Sequence, residues 1–559
     1  MNKSFRSIWN ASKQAYVAAA ENVSACGKPS ASSQASVALS AVLSGLLSMS
    51  AHAQTAPPPS ALPTGAQVSA GQASIQSNGA AMRIQQSTDR AAINWQTFNV
   101  GSNAQVQFQQ PSNNSVTLNR VMSADPSQIF GRITANGQVI LTNPSGVYFS
   151  PSARVDVGGL VATTHSITDA NFMAGNHRFE RNGSTASVVN EGELKANLGG
   201  YIALLAPEVR NQGAIIAQAG TVALASGEAV DLHFDSNNRL TSIRVEASQI
   251  QALVDNRLAV QAPGGLVIIS AQSMDRLVGG VIKNSGTLEA TGLQQVDGRM
   301  VLSASKKVEN NGTLNVSNTQ GQGGRVSVQA EEIALQAGSR IDATGATGGG
   351  TVLVGGNWQG SADPLLQATG QPNQQATTVS MANGATINAS ATHNGDGGKV
   401  VLWSDVKTDH STTDFAGQIQ ARGGVNGGQG GQVETSGHAL YVAGTARVDT
   451  TAPKGATGQW LLDPIDFTIS AGTGAQTTSG IGADTLVTNL GTSSVTIATD
   501  ATTAGNGDIF INANIASTSA NSLTLKAHRH ITQAAGVSVS TQGGALTYWA
   551  DSDDNQGGS

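Results

Sequence analysis

Residues 121–161 read VMSADPSQIFGRITANGQVILTNPSGVYFSPSARVDVGGLV. Short apolar alternations are broken at Asp125-Pro126, Asn136-Gly137 and Asn143-Pro144, and no apolar period of helical length occurs in the stretch. Strands this short cannot bury a face alone. They are expected to stack, coil over coil.

The pattern continues downstream. Glycine turns followed by small alternating aliphatics recur at Gly324-Arg325-Val326-Ser327-Val328, Gly350-Thr351-Val352-Leu353-Val354 and Gly398-Lys399-Val400-Val401-Leu402. Taking Gly298, Gly324 and Gly350 as equivalent gives a 26-residue repeat twice over, a solenoid period. A second strand type precedes each turn, as at Arg340-Ile341-Asp342-Ala343. Ile341, Ile387, Ile419, Val326, Val352 and Val400 are predicted to point inward. Asparagine and glycine recur together at Asn190-Glu191-Gly192, Asn211-Gln212-Gly213, Asn284-Ser285-Gly286 and Asn311-Gly312. Both tolerate corner conformations, and stacked asparagines can pass amide hydrogen bonds up an axis. The fold class expected is all-β: a right-handed parallel β-helix (β-solenoid), with residues from about Thr64 to Gln110 as an N-terminal cap on its first coil. At one strand spacing per coil, it would be a rod on the order of 100 Å long.

Composition agrees. The 559 residues include 66 glycines, and only 12% are charged, against roughly 25% in an ordinary soluble chain. Aromatic content is 4%, so stability must come from many small aliphatic side chains in register. Net charge is −6 and basic residues are scattered, which argues against a nucleic-acid partner.

The first 53 residues read as an export signal. A basic start with Lys3, Arg6 and Lys13 leads to an apolar run from Val37 to Met49 and then to Ala51-His52-Ala53, the small-x-small pattern of a signal-peptidase site. Cleavage is expected after Ala53, before Gln54. The run is too short for a permanent bilayer anchor. Cys26, the only cysteine, would leave with the signal, so no disulfide could tie the chain during periplasmic transit.

The opening Met1-Asn2-Lys3-Ser4-Phe5-Arg6-Ser7-Ile8-Trp9-Asn10 resembles the extended signal-peptide region of large Gram-negative exoproteins. From about Gly71 to Asn311 the chain resembles the two-partner secretion, or haemagglutination-activity, domain of filamentous-haemagglutinin family exoproteins. The blocks are Ile93 to Gly101 (INWQTFNVG), Leu118 to Val121, Asn136 to Val139, Asn143 to Val147 and Val157 to Val161. Where the family has Asn-Pro-Asn-Gly-Ile, this chain has Ser145 and Val147. Where members carry Asn-Pro-Asn-Leu, it reads Asp125-Pro126-Ser127-Gln128-Ile129.

The resemblance implies recognition in the periplasm by a partner outer-membrane β-barrel transporter with periplasmic receptor domains. Asn143, Pro144, Ser145 and Gly146 are the candidate recognition residues. It also implies handling by the general secretion machinery and signal peptidase, and a secreted or surface location. The expected organisation is a signal peptide over 1–53, the secretion domain over 54–310, further β-helix over 311–470, and over 471–559 a Gly/Thr/Ser-rich segment with further repeats, broken off at the end. Gly458 to Pro464 (GQWLLDP) resembles a segment of filamentous-haemagglutinin-like and haem-acquisition exoproteins and is expected to close one solenoid section. The run onward to Gly505 reads as loosely structured, with strands resuming at Ile509 and Leu523.

No catalytic residues, cofactor or metal are expected, and the protein is read as no enzyme. Asp396 reads as a solvated turn acid and His528 with His530 as a surface pair; no Gly-x-Ser-x-Gly, phosphate-loop or His-Glu-x-x-His run occurs. The expected role is a secreted adhesin that contacts host or bacterial cell-surface receptors. The alternatives are a haem-carrier-binding exoprotein and the stalk of a contact-dependent toxin.

Overall fold

The computed structural model of the chain describes residues 5–10, 15–20 and 55–559, apart from 276, 295, 474–476, 503–504 and 555–558. It divides into two units, Met1–Thr55 and Ala56–Ser559. In the first, strands Phe5–Asn10 and Ala15–Ala20 pair antiparallel. Ala51, Ala53 and Gln54, the expected cleavage residues, lie outside the described residues.

The second unit is the parallel β-helix that the repeat predicts. A typical coil has three strands, such as Arg299–Ala304, Lys307–Asn310 and Thr313–Asn315, each hydrogen-bonded in parallel to its equivalent one coil on. Arg299, Arg325 and Thr351 are register partners, which confirms the 26-residue period. The next partner of Thr351 is Lys399, because residues 355–377 are inserted between the coils. All six residues predicted to point inward are buried, in two continuous columns: Ile341, Ile387 and Ile419, and Val326, Val352 and Val400. Each coil added covers the aliphatic residues of the last, at roughly 25 cal/mol per Å² removed from water.

The turn glycines form a column of their own. Arg325 N donates to Gly298 O, Thr351 N to Gly324 O and Lys399 N to Gly350 O, each at 2.9 Å. A Cβ on Gly324, Gly350 or Gly398 would overlap the carbonyl oxygen of the glycine one coil before it. Close backbone approach, and not a positive φ, is what requires glycine here.

At another corner a buried asparagine ladder runs along the axis. Asn190 Nδ2 donates to Asn211 Oδ1 (2.8 Å), Asn211 to Asn256 (2.8 Å), Asn256 to Asn284 (2.8 Å) and Asn284 to Asn310 (2.7 Å), and Asn310 closes on Ser339 Oγ (2.6 Å). The ladder member is Asn310, one residue before the expected Asn311, and Asn256 joins without a following glycine. Replacing Asn256 with alanine leaves the Asn211 amide with only its 3.3 Å hydrogen bond to Ala259 O and the Asn284 side-chain carbonyl oxygen without its donor in the interior. A loss of about 2–3 kcal/mol is expected in chemical unfolding; an unchanged midpoint would show that the ladder carries no stability.

The cap is smaller than expected. Only Gln67–Ala70 and Ala73–Asn78 are antiparallel additions, on Arg90–Trp95 and Ala81–Gln86 respectively. The latter two already pair in parallel with Val116–Val121 and Gln105–Gln109 and so belong to the first coil. The open end of the stack is thereby covered by chain of opposite direction.

Two elements outside the coils were not foreseen. Arg178–Glu180, Ala229–Phe234 and Leu240–Glu246 form an antiparallel sheet. It covers a second apolar cluster, including Phe172, Phe179, Tyr201, Leu232 and Ile243, on the outer face of the helix. The insertion 355–377 forms a strap with the short helix Pro364–Ala368. Strap and sheet meet where Ile243 N donates to Thr369 O (3.2 Å) and Gln371 Nε2 to Ile243 O (2.8 Å).

Two expectations near the far end are corrected. Gln459–Asp463, holding Trp460, does not close a section, since it pairs with Gln432–Ser436 on one side and Ser494–Ala498 on the other. The indole fits mid-stack because Thr435 Oγ1 accepts its N–H at 3.0 Å. Among its described residues the following run is not loose: it contains the helix Ala483–Leu490, which buries Leu486 and Leu490 against the core, and the strand Ser494–Ala498. Ile509–Ile511 and Leu523–Lys526 are strands, as expected.

Under the strap lies Glu434, fully buried, which accepts from Gln359 N (3.0 Å) and Ser436 Oγ (2.9 Å). Burial pushes its carboxyl up to about 7, with Asp463 nearby adding to the rise. The folded state therefore holds a proton that the unfolded chain releases near pH 4. Stability from this group is full below about pH 4 and lost as pH rises to about 7. Glu434→Gln is expected to be more stable than the parent at pH 8, by about 3 kcal/mol, with the gap gone at pH 4. Parallel unfolding curves at both pH values would contradict this.

Candidate transporter-recognition surface

The secretion-domain motif residues turn out to hold one another. Trp95 Nε1 donates to Asn119 Oδ1 (3.0 Å), both buried among the first coils. Arg120 reaches from that strand to Asn94 Oδ1 (2.9 Å), Ile167 O (2.8 Å) and Asp169 (2.7 Å), fixing the helix Asp169–Ala174. Asn99 Oδ1 accepts from Gln128 N (2.8 Å), and Asn136 exchanges two 2.8 Å hydrogen bonds with the Gln110 backbone. Gly159 lies against the Tyr201 ring, whose hydroxyl donates to Gln138 Oε1 (2.8 Å).

The four candidate recognition residues form one turn, closed by Gly146 N donating to Asn143 O at 3.0 Å. Gly146 has a φ of 120°, the left-handed conformation its place in the motif suggests. Asn143 is fully buried. Its Oδ1 accepts from Ser145 N (2.9 Å), and its Nδ2 donates to Asp125 O (2.9 Å) and Ser127 Oγ (3.0 Å).

The two motifs in which this chain departs from the family thus face each other. Ser127 N donates to Gly146 O (3.0 Å), and Ser127–Ile129 pairs in parallel with Val147–Phe149. Of the four residues, only Pro144 is exposed and Ser145 half-buried. The solvent face beside them is the loop of Met122, Ala124 and Asp125, with Met122 64% exposed. Asp125 opens the block that stands where the family carries Asn-Pro-Asn-Leu, whereas Met122 and Ala124 lie outside both motifs.

The residues weighed as chemistry have ordinary partners. Asp396 Oδ1 accepts from Gln429 N (2.7 Å). His528 lies 3.3 Å from Asp553, and His530 N donates to Asp508. Among the described residues no group of three or more His, Cys, Asp or Glu could hold a metal ion, and no helix is long and apolar enough to cross a membrane.

A signal-led chain whose first coils form a self-braced, capped β-helical domain is an exported exoprotein with a secretion module at its front. Residues 60–316 match the TPS secretion domain, and residues 1–50 the extended signal peptide of the type V secretion system. The crystal structure of the HMW1 secretion domain from Haemophilus influenzae is similar, with 31% identity and a TM-score of 0.62, over 72% of this chain and all of that one. The chain belongs to the two-partner secretion exoproteins. Membership implies a Gram-negative source, transit through the periplasm, and export by a partner outer-membrane transporter to the cell surface or medium.

Two curated relatives, each called heme/hemopexin-binding protein and both from Haemophilus influenzae, are 33% identical over 250 residues and 29% identical over 244. The chain spans about a quarter of their length: 27% and 26%.

Proposed function

We propose that this exoprotein is an adhesin, exported through its partner and displaying a β-helical surface to host or bacterial cells. The observation that supports this best is the continuity of the ladders, which carry aligned outward side chains from the secretion domain through Leu546–Trp549. Such repetition gives broad, many-point contact without a deep pocket. Within the export step, the transporter reads the exposed lip formed by Pro144, Ser145 and the loop at 122–125, while Asn143 and Gly146 keep that lip in shape.

Folding outside the cell would then supply direction, since each completed coil buries aliphatic surface and resists return. A second reading, binding of a haem carrier, is favoured by the names of the two curated relatives, although the 250 residues shared with the first are no more than the secretion domain spans.

Co-expression with the partner transporter tests the export step. Met122→Ser with Pro144→Ala should cut release into the medium at least tenfold while leaving the purified protein's stability unchanged. Asn143→Ala should lower both. Normal release of the double variant would remove this lip from the recognition site. Red-cell agglutination and haemopexin pull-down by the secreted chain then separate the two readings.

A further inference from the structure

One outward column runs along the narrower ladder of the helix, one residue per coil. Over four successive coils it reads Arg210, Asp255, Lys283, Glu309, with charges alternating along the axis. The acids of that stretch also have a base on their own strand or at its end: Asp255 meets Arg257 at 2.8 Å and Glu309 meets Lys307 at 2.8 Å. The column then continues through Ala334, Ser380, Asp414, Tyr441 and Gly480.

Asp414 breaks the rule. Its neighbours along the axis are a serine and a tyrosine, and its carboxylate has no hydrogen bond or ion pair among the described residues. Asp414 is exposed, yet partial desolvation beside an apolar groove raises its carboxyl above the usual range, with no nearby base to offset it.

The groove has a volume of about 430 Å³. Met381, Phe415 and Val442 form its floor, with Ala382, Ala416 and Ala443 at one side. Tyr441 stands at its edge. Its hydroxyl makes no hydrogen bond among the described residues, and its register partner in the next strand is Gly480, which places no side chain on the ring.

We propose that this groove binds an alkylammonium group, primary or quaternary, with Asp414 as its counter-ion and the Tyr441 ring against its carbon atoms. A carboxylate in apolar surroundings is best satisfied by an opposite charge. An aromatic face together with an apolar floor favours a cation that carries hydrocarbon over a small hydrated one. The ligand supplies the positive charge that the column lacks at this coil. The inference deepens the adhesive reading and rests on it for its biological role, but binding is read on purified protein, so it can fail while export and agglutination stand.

The test is saturation-transfer NMR on the secreted chain at pH 7.5 with n-butylammonium, which represents a lysine side chain, and choline, which represents a quaternary headgroup. The neutral analogues n-pentanol and 3,3-dimethylbutanol serve as controls. At least one cation is expected to bind, and the stronger arm identifies the source. Asp414→Asn should weaken binding at least tenfold and Tyr441→Ala several-fold, while Tyr441→Phe and Asp396→Asn, an acid at a different groove, should bind as the parent does. Unchanged circular dichroism of Asp414→Asn shows that the ladder is intact. Equal binding of the neutral analogues, equal binding by Asp414→Asn, or no signal from either cation at tens of millimolar overturns the proposal.

Discussion

Gly350→Ala is expected to disrupt the coils on both sides of the substitution, with a cost of about 4 kcal/mol or more, at the extreme of single-residue effects. The added methyl group would overlap Gly324 O and crowd Ala343 O. Both are backbone atoms held in ladder hydrogen bonds, Gly324 O by Thr351 N and Ala343 O by Gly350 N (2.8 Å). No side-chain rotation relieves the clash; the coils must separate and expose their aliphatic columns. Hydrogen exchange in Arg325–Gln329 and Lys399–Trp403 should speed up together. An alanine variant with the parent's unfolding midpoint would show that the glycine column is ornamental.

The second large effect is expected at Asp363, whose side chain is 1% exposed. Its carboxylate accepts from Arg325 Nη2 (2.6 Å), Ser327 Oγ (2.5 Å) and Leu365 N (2.9 Å), joining the strap to a coil strand and capping the strap helix at once. Asp363→Ala removes all three and leaves a partly buried guanidinium without its counter-charge, a loss of about 3–5 kcal/mol for breaking such a pair. Leu366, which packs on Val301, should come away with it. Limited proteolysis is expected to cut first within residues 357–375. The double variant Arg325→Met with Asp363→Leu should recover much of the loss, because the cost is an unpaired charge and not a lost contact. A cut pattern identical to the parent's would refute the pinning role.

The coils were legible because their rules are local. An alternation of two selects the inward column, and a glycine at fixed spacing marks each close approach, so Val326, Val352 and Val400 could be placed from sequence. The asparagine ladder was legible only in part. Its working pattern is Asn-x-Gly, which Asn310-Asn311-Gly312 satisfies one residue earlier than read, while Asn256 is followed by Arg257 and Leu258. The outer sheet and the strap escaped because their partners lie far apart in the chain, as with Gln371 and Ile243. Of the candidate site, the turn and the φ at Gly146 could be read. That Asn143 is an internal brace could not, since a buried and an exposed asparagine look alike at a turn. Glu434 was missed for a similar reason: only the strap, folded over from elsewhere, makes its position an interior one.

The contact between Thr369 and Ile243 has a temporal meaning. The antiparallel sheet at 229–246 receives its clamp from chain that lies well over a hundred residues further on, so a product released or stalled with only its early coils outside would expose that sheet's unclamped side to proteases. Sensitivity there would mark incomplete delivery, and resistance would report that the strap has arrived.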